Sequence, residues 1–181
     1  DEDMQPFLTW HAILFTDLGG MSTHAFYTDA LRRILTMERA LRRCVPLAEG
    51  MLLKAIGDSH LVLFPTVIQA LACVEALQSM MLASEPHTAF CAGIGWGPLV
   101  LCTHAHGRLD AFWYEVSAAS RLGEDVASGR EVLLTEDAYA QLPASVQRTC
   151  RPRVRGTLAY WKVLPSHSAL QGMSCADERL P

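Results

Sequence analysis

Two aspartates stand at the edges of apolar runs, each beside glycine. Asp17 follows WHAILFT at residues 10–16 and precedes Leu18, Gly19 and Gly20; Asp58 follows Gly57 in Lys54-Ala55-Ile56-Gly57-Asp58. If the runs that carry them are neighbouring strands of one sheet, both carboxylates meet at its surface. Such a pair suits Mg²⁺, which takes oxygen ligands and keeps positions open for substrate phosphates. Two divalent ions held this way activate an attacking oxygen and steady a leaving group. Gly19 and Gly20, just ahead of a helix from about Thr23, expose backbone N–H groups where phosphate is favoured. Taken singly, each motif has a plain structural alternative: Asp17 as a helix cap, Gly57-Asp58 as a hairpin turn.

The elements that must position these groups can be read from periodicity and punctuation. Residues 10–16 read as a buried strand before a tight turn, and 23–44 as an amphipathic helix that Pro46 stops. Residues 51–56 and 60–64 flank Gly57-Asp58 as a hairpin, and 65–81 carry Ala and Leu in helical register. Two further strands are expected at 88–93 and 99–102 around Gly95-Trp96-Gly97-Pro98, then a helix at 113–122. A strand at 131–134, a short helix at 136–141 and a last strand at 158–164 complete the pattern. The order is βαββαβ with C-terminal α/β additions. That predicts an α+β fold with a ferredoxin-like core, an antiparallel-containing sheet with helices packed on one face.

The chain has 181 residues, half of them hydrophobic and 19% charged, enough for one domain with a full core. A lead-in segment at 1–9, a domain at 10–165 and a loose Ser- and Ala-rich tail at 166–181 are expected. A net charge of −4 argues against a general nucleic-acid binder. Basic residues cluster at Arg32, Arg33, Arg39, Arg42 and Arg43, where a solvated helix face is the ordinary account, and again at Arg148, Arg151, Arg153 and Arg155. No apolar run approaches the roughly 20 residues of a membrane helix, and Asp-Glu-Asp at the start is the wrong charge for a signal peptide. The missing initiator Met fits an excised domain, which leaves room for regulatory domains or a membrane tether outside it. Six scattered cysteines without a CxxC pair suggest reduced, mostly buried thiols and a cytoplasmic setting. His104 and His106 beside Cys102 read as a polar loop rather than a metal site.

The joint pattern is more specific than its parts. Asp17 ends one strand; Lys54-x-x-Gly57-Asp58 leads into another; Gly93-Ile94-Gly95-Trp96-Gly97 follows an Ala-rich helix; then come Asp110 and Val116-Ser117-Ala118-Ala119-Ser120-Arg121-Leu122. In order and spacing this resembles the class III adenylate and guanylate cyclase catalytic domain over roughly residues 10–164. The resemblance implies that Asp17 and Asp58 bind two Mg²⁺ or Mn²⁺ ions, with the main-chain carbonyl of Leu18 as a further ligand. It implies that Gly20, Met21 and Ser22 cradle the triphosphate, with Met21 where phenylalanine is usual. Lys54, four residues before Asp58, corresponds to the lysine that reads adenine, where guanylate cyclases carry glutamate. Asp110, eleven residues before Arg121, fills the second base-reading position. Arg121 matches the arginine that steadies the transition-state phosphate, and Arg155 a late basic residue, usually lysine, that contacts the triphosphate.

Two further departures matter. Ser117 stands where an asparagine orients the ribose, and Trp113 where glycine is usual. The expected activity is an adenylate cyclase converting ATP into cyclic AMP and pyrophosphate, from a head-to-tail homodimer whose composite sites take their metal-binding and base-reading residues from opposite subunits. The alternatives are a weak or inactive cyclase-like domain used for dimerisation or nucleotide sensing, and a cyclase for GTP or a pyrimidine nucleotide. Arg121 could instead make a surface ion pair with Glu124 or Asp125, and Lys54 could be a solvated strand residue.

Overall fold

The computed structural model describes residues 8–19, 27–103 and 109–164. The core runs β1 (Leu8–Leu18), α1 (Tyr27–Leu47), β2 (Met51–Ile56), β3 (Ser59–Phe64), α2 (Val67–Ser84) and β4 (Phe90–Thr103). These four strands lie in the order β2-β3-β1-β4, every neighbour antiparallel, as the ferredoxin-like reading requires. The additions are β5 (Leu109–Phe112), α3 (Tyr114–Arg121) with a π-helical continuation at Leu122–Val126, β6 (Val132–Leu134), α4 (Glu136–Ala140), α5 (Ala144–Gln147), β7 (Cys150–Arg155) and β8 (Leu158–Val163). β6 pairs parallel to β4, and the β7–β8 hairpin extends the sheet beyond it.

Several expectations are corrected. β1 begins at Leu8, inside the expected lead-in segment, because Leu8 pairs with Val100 of the long β4. Residues 90–103 form one strand, not two strands around a turn. Pro98 is tolerated because it lies between the stretches of β4 that pair with β6 and β5. α1 runs past Pro46, which occupies its last turn, to Leu47. The short β5, α5 and β7 carry no apolar periodicity strong enough to announce them. α2 has the length and mean hydropathy, 1.4 over 18 residues, of a membrane-crossing helix. In the fold it is a core helix, with Val67, Ala70, Leu71, Val74, Leu77 and Met81 buried. The expected tail lies outside the described residues.

Strand alternation divides the interior into two layers. Ala12, Leu14, Val62, Phe64, Ala92 and Ile94 face α1, α2 and α4. Ile13, Phe15, Leu61 and Leu63 face the other way, toward Ala119 of α3. Helices therefore cover both faces, and α3 is the one that the single-faced expectation misplaced. Four of the five described cysteines are buried and outside any disulfide. Burial pushes Cys73 up to about 12, and burial with the nearby Asp17 and Glu131 charges pushes Cys91 up to about 11. Both are thus held as inert thiols.

α3 reaches the sheet only because β4 has no side chains beneath it. A Cβ on Gly93 would stand 2.1 Å from the Ala119 carbonyl oxygen and 2.6 Å from the Gly123 nitrogen; on Gly95 it would stand 2.9 Å from the Glu115 carbonyl oxygen. These obstacles are backbone and cannot rotate away. Gly93→Ala should therefore destabilise the protein by on the order of 3 kcal/mol, the upper range for overpacking, read from urea unfolding. Gly129→Ala, where the Cβ meets open space but φ is +63°, should cost only about 1 kcal/mol. Equal effects at the two sites would refute the close-approach account.

Candidate active site

The turn that carries Asp58 lies beside Asp17. β3 lies beside β1, with His60 opposite Thr16, so the turn at Gly57-Asp58 comes to the end of β1. Ser59 Oγ donates to Asp17 Oδ1 at 2.7 Å. Burial raises the Asp17 pKa, the Ser59 hydrogen bond lowers it, and the negative charge of Asp58 raises it again. Gly57 has φ +62°, so Gly57-Asp58 is a hairpin turn as well as a carrier of the carboxylate. No third His, Cys, Asp or Glu joins the pair among the described residues. Two carboxylates with open positions around them fit Mg²⁺ or Mn²⁺, which bind through one or two carboxylates plus substrate phosphates. Leu18 buries its side chain in the core, leaving the main chain as the part it can offer. Behind this edge His60 is fully buried with neither ring nitrogen hydrogen-bonded. Burial holds its pKa below the ordinary value against the pull of Glu38 and Asp58.

Lys54 and Asp110 meet across β2 and β5. Lys54 Nζ lies 2.7 Å from Asp110 Oδ1 and 2.8 Å from Oδ2, and the Ala111 N–H donates to Oδ1 at 2.8 Å. Both side chains are largely enclosed, 26% and 15% exposed. Lys54 is therefore not a solvated strand residue. The pair combines a donor and an acceptor at one place, which is what reading a heterocycle edge needs.

α3 carries the remaining groups. Ser117 and Arg121, one turn apart, are both exposed on its outer side. Arg121 makes no ion pair with a described residue, so the expected Glu124 or Asp125 alternative does not form. Arg155, at the end of β7, donates from Nη1 to the Asp125 carbonyl at 2.8 Å and so stands beside the π-helical continuation of α3. Trp113, immediately before α3, has φ +148° and ψ −179°, a region open essentially to glycine alone that costs another residue about 1–3 kcal/mol. Sequence reasoning missed Glu115. Its side chain is buried on the inner side of α3, and Oε2 accepts from the Trp96 N–H at 3.1 Å and from Thr135 Oγ1 at 2.8 Å. Burial raises its pKa, those two hydrogen bonds lower it, and Asp137 raises it. An acid in the first turn opposite a glycine-rich strand was the available signal. Gly20, Met21, Ser22, His104 and His106 lie outside the described residues.

No family model and no curated protein matches the chain. Solved structures do. An adenylate/guanylate cyclase/hydrolase from Silicibacter pomeroyi superposes with a TM-score of 0.68 at 22% identity, covering 88% of this chain and 98% of that one. Adenylate cyclases from Trypanosoma brucei in their monomeric state give 0.69 at 17% identity, covering 88% and 90%. The catalytic core of a rhodopsin-guanylyl cyclase with converted specificity, in complex with ATPαS, gives 0.72 at 14% identity, covering 86% and 96%. The fold is that of the class III nucleotidyl cyclase catalytic domain. Within this fold, Asp17 lies beside the turn that carries Asp58, Lys54 of β2 meets Asp110 of β5 elsewhere on the same sheet, and Arg121 is exposed on α3.

A metal at the first pair has a measurable signature. The folded Asp17 carboxyl binds its proton more tightly than the unfolded one, so it favours the folded state at acidic pH. That contribution is lost as pH rises through the raised pKa. Mn²⁺ at neutral pH should raise the melting temperature by roughly 5–10 °C at a hundredfold excess over Kd. Asp17→Asn should remove that shift while melting no lower than the wild type in metal-free buffer. An unchanged shift in the variant would place the metal elsewhere.

Proposed function

We propose that this chain is a nucleotidyl cyclase and that ATP is its substrate, converted to cyclic AMP and pyrophosphate. The observation that carries the reading is the enclosed Lys54–Asp110 pair in the same sheet as the Asp17–Asp58 edge. One offers a donor beside an acceptor; the other offers two converging carboxylates. The named solved relatives include both adenylate and guanylate cyclases, so base choice falls on this chain's own residues.

Cyclisation requires the ribose 3′-oxygen to attack the α-phosphorus in line as pyrophosphate leaves, and the barrier is one of positioning and charge stabilisation. Two Mg²⁺ or Mn²⁺ ions, held by Asp17, Asp58 and the Leu18 carbonyl, would supply acidification of the 3′-hydroxyl and charge neutralisation when bound. Arg121 neutralises the charge that develops on the transferred phosphate, and Arg155 that on the triphosphate, with Gly20, Met21 and Ser22 as its cradle. Ser117 faces the ribose with a shorter reach than an amide. Lys54 donates to adenine N1 and Asp110 accepts from N6; guanine presents the reverse pattern at N1 and O6. Among the described residues Arg121 has no acid partner, and Asp17 and Asp58 pair with no cation. This supports a head-to-tail homodimer in which each subunit completes the other's site. One solved relative is described as a non-canonical dimeric guanylyl cyclase domain. The proposed setting is the cytoplasm, where ATP and reduced thiols are both at hand. Ser117 and the strained Trp113 favour one second reading, a slow or inactive domain that binds nucleotide for regulation.

Incubation with ATP and Mn²⁺ should yield cyclic AMP, and Asp17→Ala and Arg121→Ala should each abolish it. Mixing those two variants in equal amounts should restore about a quarter of wild-type activity, because half the dimers are mixed and each has one intact site. Absence of rescue despite mixed dimers would mean that each site is built within one chain. Lys54→Glu should lower the preference for ATP over GTP by roughly tenfold or more, since mispairing a buried polar group costs about 1–3 kcal/mol. An unchanged preference would remove Lys54 and Asp110 as base readers, and cyclic AMP absent from the wild type would leave the regulatory reading.

A further inference from the structure

Trp113 holds a backbone conformation that an indole-bearing residue adopts at a loss. A buried ring could offset that loss through the core, but Trp113 is 46% exposed. Its side chain makes no capping hydrogen bond to α3, and its ring stacks on no other described aromatic. The fold therefore gains little from the ring, while glycine would remove the strain outright.

The position of the ring shows what could gain from it. Trp113 is three residues beyond Asp110, whose carboxylate is fixed against Lys54. It starts a line of outward positions, 113, 117 and 121, at successive turns of α3, whose inner positions Glu115, Ala118 and Ala119 are buried. At 1.5 Å per residue the line spans about 12 Å. Its chemistry runs in the order of a nucleotide's parts: a ring three residues after the acceptor of the donor–acceptor pair, a hydroxyl, then a guanidinium.

We propose that the Trp113 indole is the face on which the substrate's nucleobase stacks, a specificity-determining contact that supplements the polar reading by Lys54 and Asp110. The inference rests on the nucleotidyl cyclase reading. Stacking accepts any base because every base has a π-face, and its strength grows with ring size. Trp113 thus sets purine over pyrimidine, while Lys54 and Asp110 set adenine over guanine.

Calorimetric titration with ATP, CTP and inorganic triphosphate in Ca²⁺ buffer tests this. Proteins are compared at concentrations where sedimentation shows the same oligomeric state. Trp113→Ala and Trp113→Gly should each bind ATP about tenfold more weakly, CTP with a smaller loss, and inorganic triphosphate as the wild type does; Trp113→Phe should keep most of the ATP affinity. Because Trp113→Gly relieves the backbone, its melting temperature should equal or exceed the wild-type value, which separates a lost contact from a damaged fold. Unchanged ATP affinity in the Ala and Gly variants, or equal losses for ATP and inorganic triphosphate, would overturn the stacking role. Weakened self-association with base affinity intact would assign the ring to a second copy of the chain, and would also overturn it. A wild type that binds neither ATP nor inorganic triphosphate would remove the cyclase reading itself.

Discussion

The closeness of α3 to β4 is the constraint on which the rest of the structure depends. Gly93, Gly95 and Gly97 alternate along the strand and so share one face, and every one would place a Cβ into α3 or the segment that follows it. Gly123 returns the relation from the helix side, where a Cβ would stand 2.9 Å from the Phe15 ring and 3.0 Å from the Phe15 carbonyl oxygen. Contact between bare backbones fixes the helix in depth, and Glu115 fixes it in register by accepting from the Trp96 N–H. Thr135, which donates to the same Glu115 oxygen, also caps α4 by accepting from the Ala138 N–H at 3.2 Å. A single buried carboxylate thus ties α3, β4 and the start of α4 together, and the outward line of α3 inherits its position from that tie.

The electrostatics of the sheet edges follow from what is and is not neutralised. Lys54 and Asp110 satisfy one another and tolerate enclosure as a matched donor and acceptor. Asp17 and Asp58 do not: burial first, and the like charge of Asp58 after it, leave Asp17 with a raised pKa even though Ser59 donates to it. Among the described residues no cation compensates the Asp17 edge, which is thus poised for one, and no acid pairs with the exposed Arg121, which is poised for an anion. The proposed dimer joins these two surpluses, each incomplete within its chain.

Legibility in the sequence tracked the locality of the cause. The apolar runs at residues 10–16 and 60–64 reflect strands buried on both faces, the helical register of 65–81 reflects burial on one side of a helix, and together they carried the ferredoxin-like core. The approach of the Gly57-Asp58 turn to Asp17 followed once that core was assumed, because antiparallel neighbours bring strand ends together; the contact of Lys54 with Asp110 did not, because β5 lies outside that core and pairs with β4 rather than β2. What stayed hidden depended on a partner distant in sequence. Gly95-Trp96-Gly97-Pro98 has the local look of a turn, yet its glycines answer to a helix about twenty residues on. The same relation places α3 on the face opposite α1 and α2, which a pattern read one element at a time does not reveal. Glu115 looks like an ordinary first-turn acid until the backbone N–H it accepts from is known. β7 alternates charge, proline and valine in Arg151-Pro152-Arg153-Val154-Arg155, an exposed edge hairpin with no apolar face to advertise it.

Two of the departures from the family's pattern fall on one line of the fold. The groups at the strand ends, Asp17, Asp58, Lys54 and Asp110, keep the residue types that the resemblance leads one to expect, and so does Arg121. The changes, Trp113 and Ser117, occupy successive outward turns at the start of α3. The helix itself is locked by its inner face, through Glu115, Ala119 and the glycines of β4, so outer positions can vary without moving it. Solved structures at 14–22% identity share this fold. Trp113 is the exception that tests the rule, because its backbone keeps a glycine-type conformation after the glycine has gone. The inner contacts hold the strand-to-helix junction so firmly that the junction dictates φ at residue 113, whatever side chain stands there, and strain at that point measures how rigidly α3 is held.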